Sequence, residues 1–267
     1  MAVLFMSAIL WLETSRGAGF ESPKLNAEIS KQEKIIRSES GPVPEGYTVD
    51  RALPIYTQIL HFEFGRALAN LAPTDRWLDV GAGQGQAILD YYAPGYDLTV
   101  SERRERRGKK ARSVAISIED RRTPLWHQTA ASLEGNQIQY LYNKRLQEYS
   151  TQDLGTFQLI TDVIGGFSYS VDLSLFMEKV LAFLDLNGSF HTVLQDVKAE
   201  DGKNRPYYEG SPYLTEIANA DGSEASVCSW LKSITCVNVI CEFKSTWRPP
   251  VESYHVHKIC NDVTVPP

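Results

Sequence analysis

The sequence predicts an α/β fold: a three-layer sandwich whose mostly parallel, seven-stranded sheet ends in a C-terminal antiparallel hairpin. Three observations predict it. Between residues 76 and 194, short apolar runs alternate with helical patterns, the rhythm of βαβ units with right-handed crossovers. A glycine-rich turn, Gly81-Ala82-Gly83-Gln84-Gly85, stands between the first strand-like run and the next helix-like run. Near the end, residues 235–243 and 253–259 are two β-rich runs with no helix between them, only a connection holding Pro249-Pro250, as an antiparallel pair requires.

The elements follow in order. Residues 1–46 stand apart from the domain expected over residues 47–267. Residues 2–12 are an apolar run of the length found in a secretion signal, short of the ~20 residues that span a membrane. No Lys or Arg precedes the run, so a secretion signal, a membrane-contacting anchor and a helix packed on the domain all stay open. Residues 21–46 are polar and end in a Pro/Gly-rich stretch, as in a linker. Ile55, Ile59, Leu60, Phe62, Phe64, Leu68 and Leu71 recur with mostly helical spacing, which predicts one helix over 54–71, stopped at Ala72-Pro73.

Residues 76–80 read as the first strand and 86–92 as the helix after the glycine turn. Residues 97–101 read as a second strand ending at Glu102, and 103–117 as a long polar helix, whose basic run from Arg103 to Arg112 is a solvated face. Residues 137–142 and 157–163 read as strands three and four, 173–184 as an amphipathic helix, and 189–194 as strand five after the turn 185–188.

Composition excludes some functions and leaves others open. A chain of 267 residues with 43% hydrophobic content can bury one large core. A formal net charge of -6 argues against a general nucleic-acid binder, which needs a basic surface to neutralise phosphates. Cys228, Cys236, Cys241 and Cys260 make neither a CxxC pair nor a zinc spacing, which leaves free buried thiols or disulfides in an exported protein. His127, His191, His255 and His257 show no metal-ligand pattern.

The glycine turn carries the sharpest functional signal. A chain turning from strand to helix needs residues that tolerate positive φ, and no Cβ where a ligand approaches. The spacing is G-x-G-x-G, which differs by one residue from the G-x-G-x-x-G of nicotinamide and flavin proteins, so a nicotinamide-dependent oxidoreductase is the weaker alternative.

The run Trp77-Leu78-Asp79-Val80-Gly81-Ala82-Gly83-Gln84-Gly85 resembles motif I of the class I S-adenosylmethionine-dependent methyltransferases. The resemblance covers roughly residues 47–267 and implies a Rossmann-like fold, S-adenosylmethionine as cofactor and methyl transfer. It assigns Asp79, Gly81, Ala82, Gly83 and Gly85 to the cofactor, with Glu102 as the acid for the ribose hydroxyls. Asn143 stands near the place of the family's adenine-holding Asp. The stretch 157–169 resembles the fourth-strand motif, where Asp162 is the candidate acid near the methyl group, and Phe167 and Tyr169 are candidates to line an acceptor pocket built from 165–172 and 204–216.

Asp162 is followed by Val163-Ile164 and not by two prolines, a departure from the form that marks nucleobase amino methylation. A small-molecule or protein acceptor is therefore expected, with no nucleic-acid partner. A binding module without turnover is the main alternative. Because the cofactor is made in the cytosol, the resemblance implies a cytoplasmic protein, against the exported or anchored alternative raised by residues 2–12.

Overall fold

The computed structural model describes residues 51–93, 110–133, 135–170, 172–195, 214–218, 223–247 and 250–267. Its centre is a seven-stranded sheet in the order β3-β2-β1-β4-β5-β9-β8, with β1 Arg76–Val80, β2 Arg112–Ile116, β3 Ile138–Leu141, β4 Phe157–Val163, β5 Leu184–Gln195, β8 Val237–Lys244 and β9 Val251–Lys258. Neighbours from β3 to β5 pair in parallel, and β9 pairs antiparallel with both β5 and β8. A separate small pair joins β6 Glu216–Ala218 to β7 Glu224–Ser226. The expected layered sheet and terminal hairpin are both present.

Helices cover both faces because successive strand residues point to opposite sides. On one face α1 Leu53–Ile59, α2 Glu63–Asn70, α3 Gln86–Tyr92 and α4 Pro124–Ser132 bury Trp77, Leu159, Val163 and Val193. On the other, α5 Thr151–Leu154, α6 Gly166–Tyr169, α7 Leu173–Phe183 and α8 Val227–Ser233 close over Leu78, Ile160, Phe190 and Tyr254. Trp77, Phe64, Phe176, Phe183 and Tyr254 are each fully buried, and each such side chain contributes roughly 1.5–3 kcal/mol by leaving water. Lys258 of β9 is drawn in to satisfy the end of α7, its ammonium donating to the carbonyls of Leu181 and Leu184 at 2.8 Å each.

Three expectations are corrected. The residues next to β1 in the sheet are Arg112–Ile116, which fall inside the stretch read as a polar helix over 103–117. Four of these five residues are buried between β1 and β3, so sheet burial overrides the charged run that precedes them. The expected strand 97–101 and Glu102 lie outside the described residues. The helix expected over 54–71 is two helices, broken where Leu60 turns extended and His61 packs against His255 of β9. The turn expected at 185–188 is absorbed into β5, where the pairing with β4 shifts register between Phe157 and Leu159 and Asn187 takes a positive φ.

The four cysteines form two disulfides, Cys228–Cys241 and Cys236–Cys260, which settles the alternatives left by the sequence. The first ties α8 to β8, and the second closes the open end of the β8–β9 hairpin. Among the described residues no helix is long and apolar enough to cross a membrane. Residues 2–12 lie outside the described residues.

Candidate cofactor site

The site forms at the carboxyl ends of β1, β2 and β4, where an open α/β sheet leaves its ligand crevice. Beyond Val80 the chain turns through Gly81, Gly83 and Gly85 with φ of 70°, 57° and 78°, a left-handed series that only glycine adopts without strain. Gly85 then caps α3. The loop is tied to the neighbouring strand by the Ala82 N–H, which donates to the Ile116 carbonyl at 3.0 Å.

Two of the glycines serve packing within the protein. A Cβ on Gly81 would lie 2.6 Å from the Gly165 Cα, so the loops after β1 and β4 touch backbone to backbone. A Cβ on Gly85 would lie 2.4 Å from the Trp126 ring. The expectation that the missing side chains make room for a ligand is therefore corrected at these two positions. Gly83 takes its positive φ between them. Gly81→Ala is expected to cost about 3 kcal/mol, combining left-handed strain with a backbone clash, and urea unfolding would measure it. An unchanged midpoint would mean that the two loops separate freely.

Asp79 is fully buried on β1. The Tyr56 hydroxyl of α1 reaches its two oxygens at 3.1 and 3.0 Å, and the Thr161 hydroxyl donates to it at 2.7 Å. Burial pushes its pKa up to about 7, with the two hydroxyl donors pulling the other way and the neighbouring Asp162 adding to the rise. Asp79 thus holds α1 against the sheet.

Asp162 is one register step further along β4, paired with Val80. It too is fully buried, and its oxygens accept from the N–H groups of Gly165 at 2.9 Å and Phe167 at 3.0 Å. Burial raises its pKa to about 7 against those backbone donors. Between Asp162 and Gly165, Ile164 sits at φ 54°, an unfavourable conformation for a β-branched residue. Asp162 is the clamp that holds this strained exit from β4, the role of a capping residue.

The other expected site residues scatter. Phe167 is 1% exposed and packs edge-on against Phe176 and Phe190, so it belongs to the core and not to an acceptor pocket. Tyr169 is half-buried at the end of α6. Asn143 is exposed at φ 66° in the turn after β3. With β2 reassigned, the acids at its carboxyl end are Glu119, half-buried and paired with Arg121, and Asp120, paired with Arg122 at 2.6 Å. Sequence reasoning missed Glu119; the alternation of Val114, Ile116 and Ile118 just before it was the available signal.

Similar folds occur among solved structures. A 1,6-didemethyltoxoflavin-N1-methyltransferase from Burkholderia thailandensis, solved with S-adenosylhomocysteine, aligns over 91% of this chain and 93% of its own with 14% identity and a TM-score of 0.49. The magnesium protoporphyrin IX methyltransferase of Synechocystis, solved with bound SAM, aligns over 93% and 90% with 11% identity and a TM-score of 0.45. The N-methyltransferase NodS from Bradyrhizobium japonicum aligns over 75% and 94% with 13% identity and a TM-score of 0.45. No protein-family model matches the chain, and no curated protein matches it. The chain has a Rossmann-like sheet with the terminal antiparallel hairpin that the glycine-loop resemblance implied.

Proposed function

We propose that this chain binds S-adenosylmethionine at the crevice above β1, β2 and β4 and transfers its methyl group to a small-molecule or protein acceptor. The observation that carries the proposal is the meeting of the positive-φ glycine loop with the β4 exit, Gly81 against Gly165, at the carboxyl edge of a parallel sheet. The donor set fits the cofactor. Glu119 at the end of β2 would accept from the ribose hydroxyls, the role expected of Glu102, which lies outside the described residues, because a carboxylate accepts from vicinal hydroxyls. The loop around Gly83 would hold the amino-acid half of the cofactor.

When bound, the cofactor supplies a sulfonium methyl that is already activated, so the protein's main task is alignment. Asp162 acts here as a positioning residue. Its two oxygens are engaged by backbone N–H groups, and it fixes the loop that leads to Tyr169, the candidate lining residue for the acceptor. Asp79 likewise serves through Tyr56 and Thr161, holding α1 beside the glycine loop.

A second reading is favoured by the disulfides. Two bridges suit an oxidising compartment, where adenosylmethionine is not made. They support the exported alternative over the cytoplasmic expectation, and with it a module that binds an adenosyl ligand without turnover. Calorimetric titration with S-adenosylhomocysteine tests the shared part. Micromolar binding, weakened about tenfold by Glu119→Ala, is expected, since losing a hydrogen-bonded charged acceptor costs ~1.5–3 kcal/mol. Absence of binding would overturn both readings. Release of S-adenosylhomocysteine from S-adenosylmethionine on addition of candidate acceptors then separates enzyme from binding module.

A further inference from the structure

Tyr140 of β3 joins the two halves of the crevice. Its hydroxyl donates to the Gly83 carbonyl of the glycine loop and lies 3.2 Å from the Glu119 carbonyl. The Arg121 N–H donates back to the same oxygen at 3.3 Å. One phenol oxygen therefore bridges the β1–α3 loop and the turn after β2. The ring itself is fixed: it is 8% exposed, stands edge-on to Trp126 at 5.2 Å, and lies under the Arg122 guanidinium. Trp126 in turn fills the space beside Gly85. Glycine loop, tryptophan, tyrosine and acidic turn thus form one packed unit, bridged at the crevice by the Tyr140 hydroxyl.

We infer that Tyr140 is a positioning residue that sets the span of the cofactor slot, holding Gly83 and Glu119 at the separation that the amino-acid and ribose parts of one ligand must bridge. The inference rests on the proposed cofactor reading. Its physical basis is preorganisation: a ligand addressing both loops binds more weakly when the loops must be brought to register at the moment of binding. Removing the hydroxyl leaves ring packing intact and frees the glycine loop to move relative to the acidic turn.

A matched control exists in the same protein. The Tyr92 hydroxyl bonds the Ala111 and Gln137 carbonyls, bridging β2 and β3 at their opposite, amino-terminal ends. Tyr140→Phe and Tyr92→Phe therefore each remove one phenol hydroxyl that bridges two backbone carbonyls, one at the crevice and one at the far ends of β2 and β3.

The test is titration of wild type and both variants with S-adenosylhomocysteine and with adenosine, alongside thermal melts and amide hydrogen exchange. Tyr140→Phe is expected to weaken S-adenosylhomocysteine about tenfold, as for loss of one well-placed hydrogen bond, and adenosine, which lacks the amino-acid half that reaches the Gly83 loop, by less. Tyr92→Phe is expected to stay within about twofold of wild type even if its melting point falls further. Exchange of the Arg121 amide, which donates to the phenol, is expected to speed up in Tyr140→Phe alone. Equal losses in the two variants, or unchanged affinity in Tyr140→Phe, would overturn the inference. Failure of wild type to bind either ligand would instead overturn the cofactor reading beneath it, while the Arg121 exchange would still report whether the strut exists.

Discussion

Reduction of both disulfides under otherwise native conditions is expected to lower stability by about 5 kcal/mol and to release the C-terminal hairpin. The bridges join residues 13 and 24 apart, and each loop of that size removes roughly 3 kcal/mol of chain entropy from the unfolded state. The two loops overlap in sequence, so their sum is less than twice the single value. Against a typical total of ~5–15 kcal/mol, that loss is decisive. The structural consequence follows from the sheet order. β9 is the strand that pairs with β5, and β8 reaches the sheet only through β9. A hairpin freed at Cys236–Cys260 would expose the β5 edge, with His191 and Thr192 behind it. Urea unfolding with and without reductant measures the effect. A midpoint that does not move would mean that packing of Tyr254 and Val256 in the core already holds the hairpin.

The same bridges show what a single sequence could convey. Cysteine spacing left thiols and disulfides open because pairing depends on α8 lying beside β8, a contact that no local pattern encodes. β1, the glycine turn, β4 and the terminal hairpin were legible because apolar runs and punctuating glycines act locally. β2 was misplaced because Arg103 to Arg112 carries strong helix-forming charge, whereas Ser113, Ala115 and Ser117 are small residues whose strand identity comes from burial between two neighbours. The reassigned strand ends beside Glu119, while Glu102 lies outside the described residues. The partners of the site residues were not legible at all. Tyr56, Thr161 and Tyr140 carry no motif of their own, and the register that sets Thr161 beside Asp79 is what gives Thr161 its role.

That register extends across the sheet and leads to a prediction about pH. Asp79, Thr161, His191 and His255 lie in one row on four adjacent strands, beneath α1 and α2. His191 and His255 stack at 4.4 Å with their planes 5° apart, and His61 stacks on His255 from the α1–α2 turn at 5.6 Å. Among the described residues neither nitrogen of His191 has a hydrogen-bond partner. Burial holds His191 well below the usual histidine range, and holds His255 down to about 4. His61 is lowered too, chiefly by burial and also by Lys244, with Glu242 and Glu63 opposing. The stack is therefore neutral when folded, and its contribution is complete above pH 6.5 and lost as pH falls from there toward 4.

The carboxyls have the opposite sign. Asp79 and Asp162 are raised to about 7, so the folded state binds their protons more tightly than the unfolded chain does. Their contribution is complete below the unfolded value near 4 and is lost as pH rises to 7, on the order of 4 kcal/mol for each at most. Over pH 4 to 6.5 the two sets oppose each other, and wild-type stability is expected to change little. Replacement exposes each slope in turn. His191→Phe/His255→Phe, which keeps aromatic packing against Phe64, should become less stable as pH rises through that window. Asp79→Asn should become less stable as pH falls, because the histidine slope is then less opposed. Denaturant midpoints at half-unit pH intervals give the three curves. Parallel curves for all three proteins would show that neither buried set controls the folding equilibrium. Crossed slopes would establish that this row of polar groups, running from the glycine-loop strand to the terminal hairpin, titrates as part of the fold.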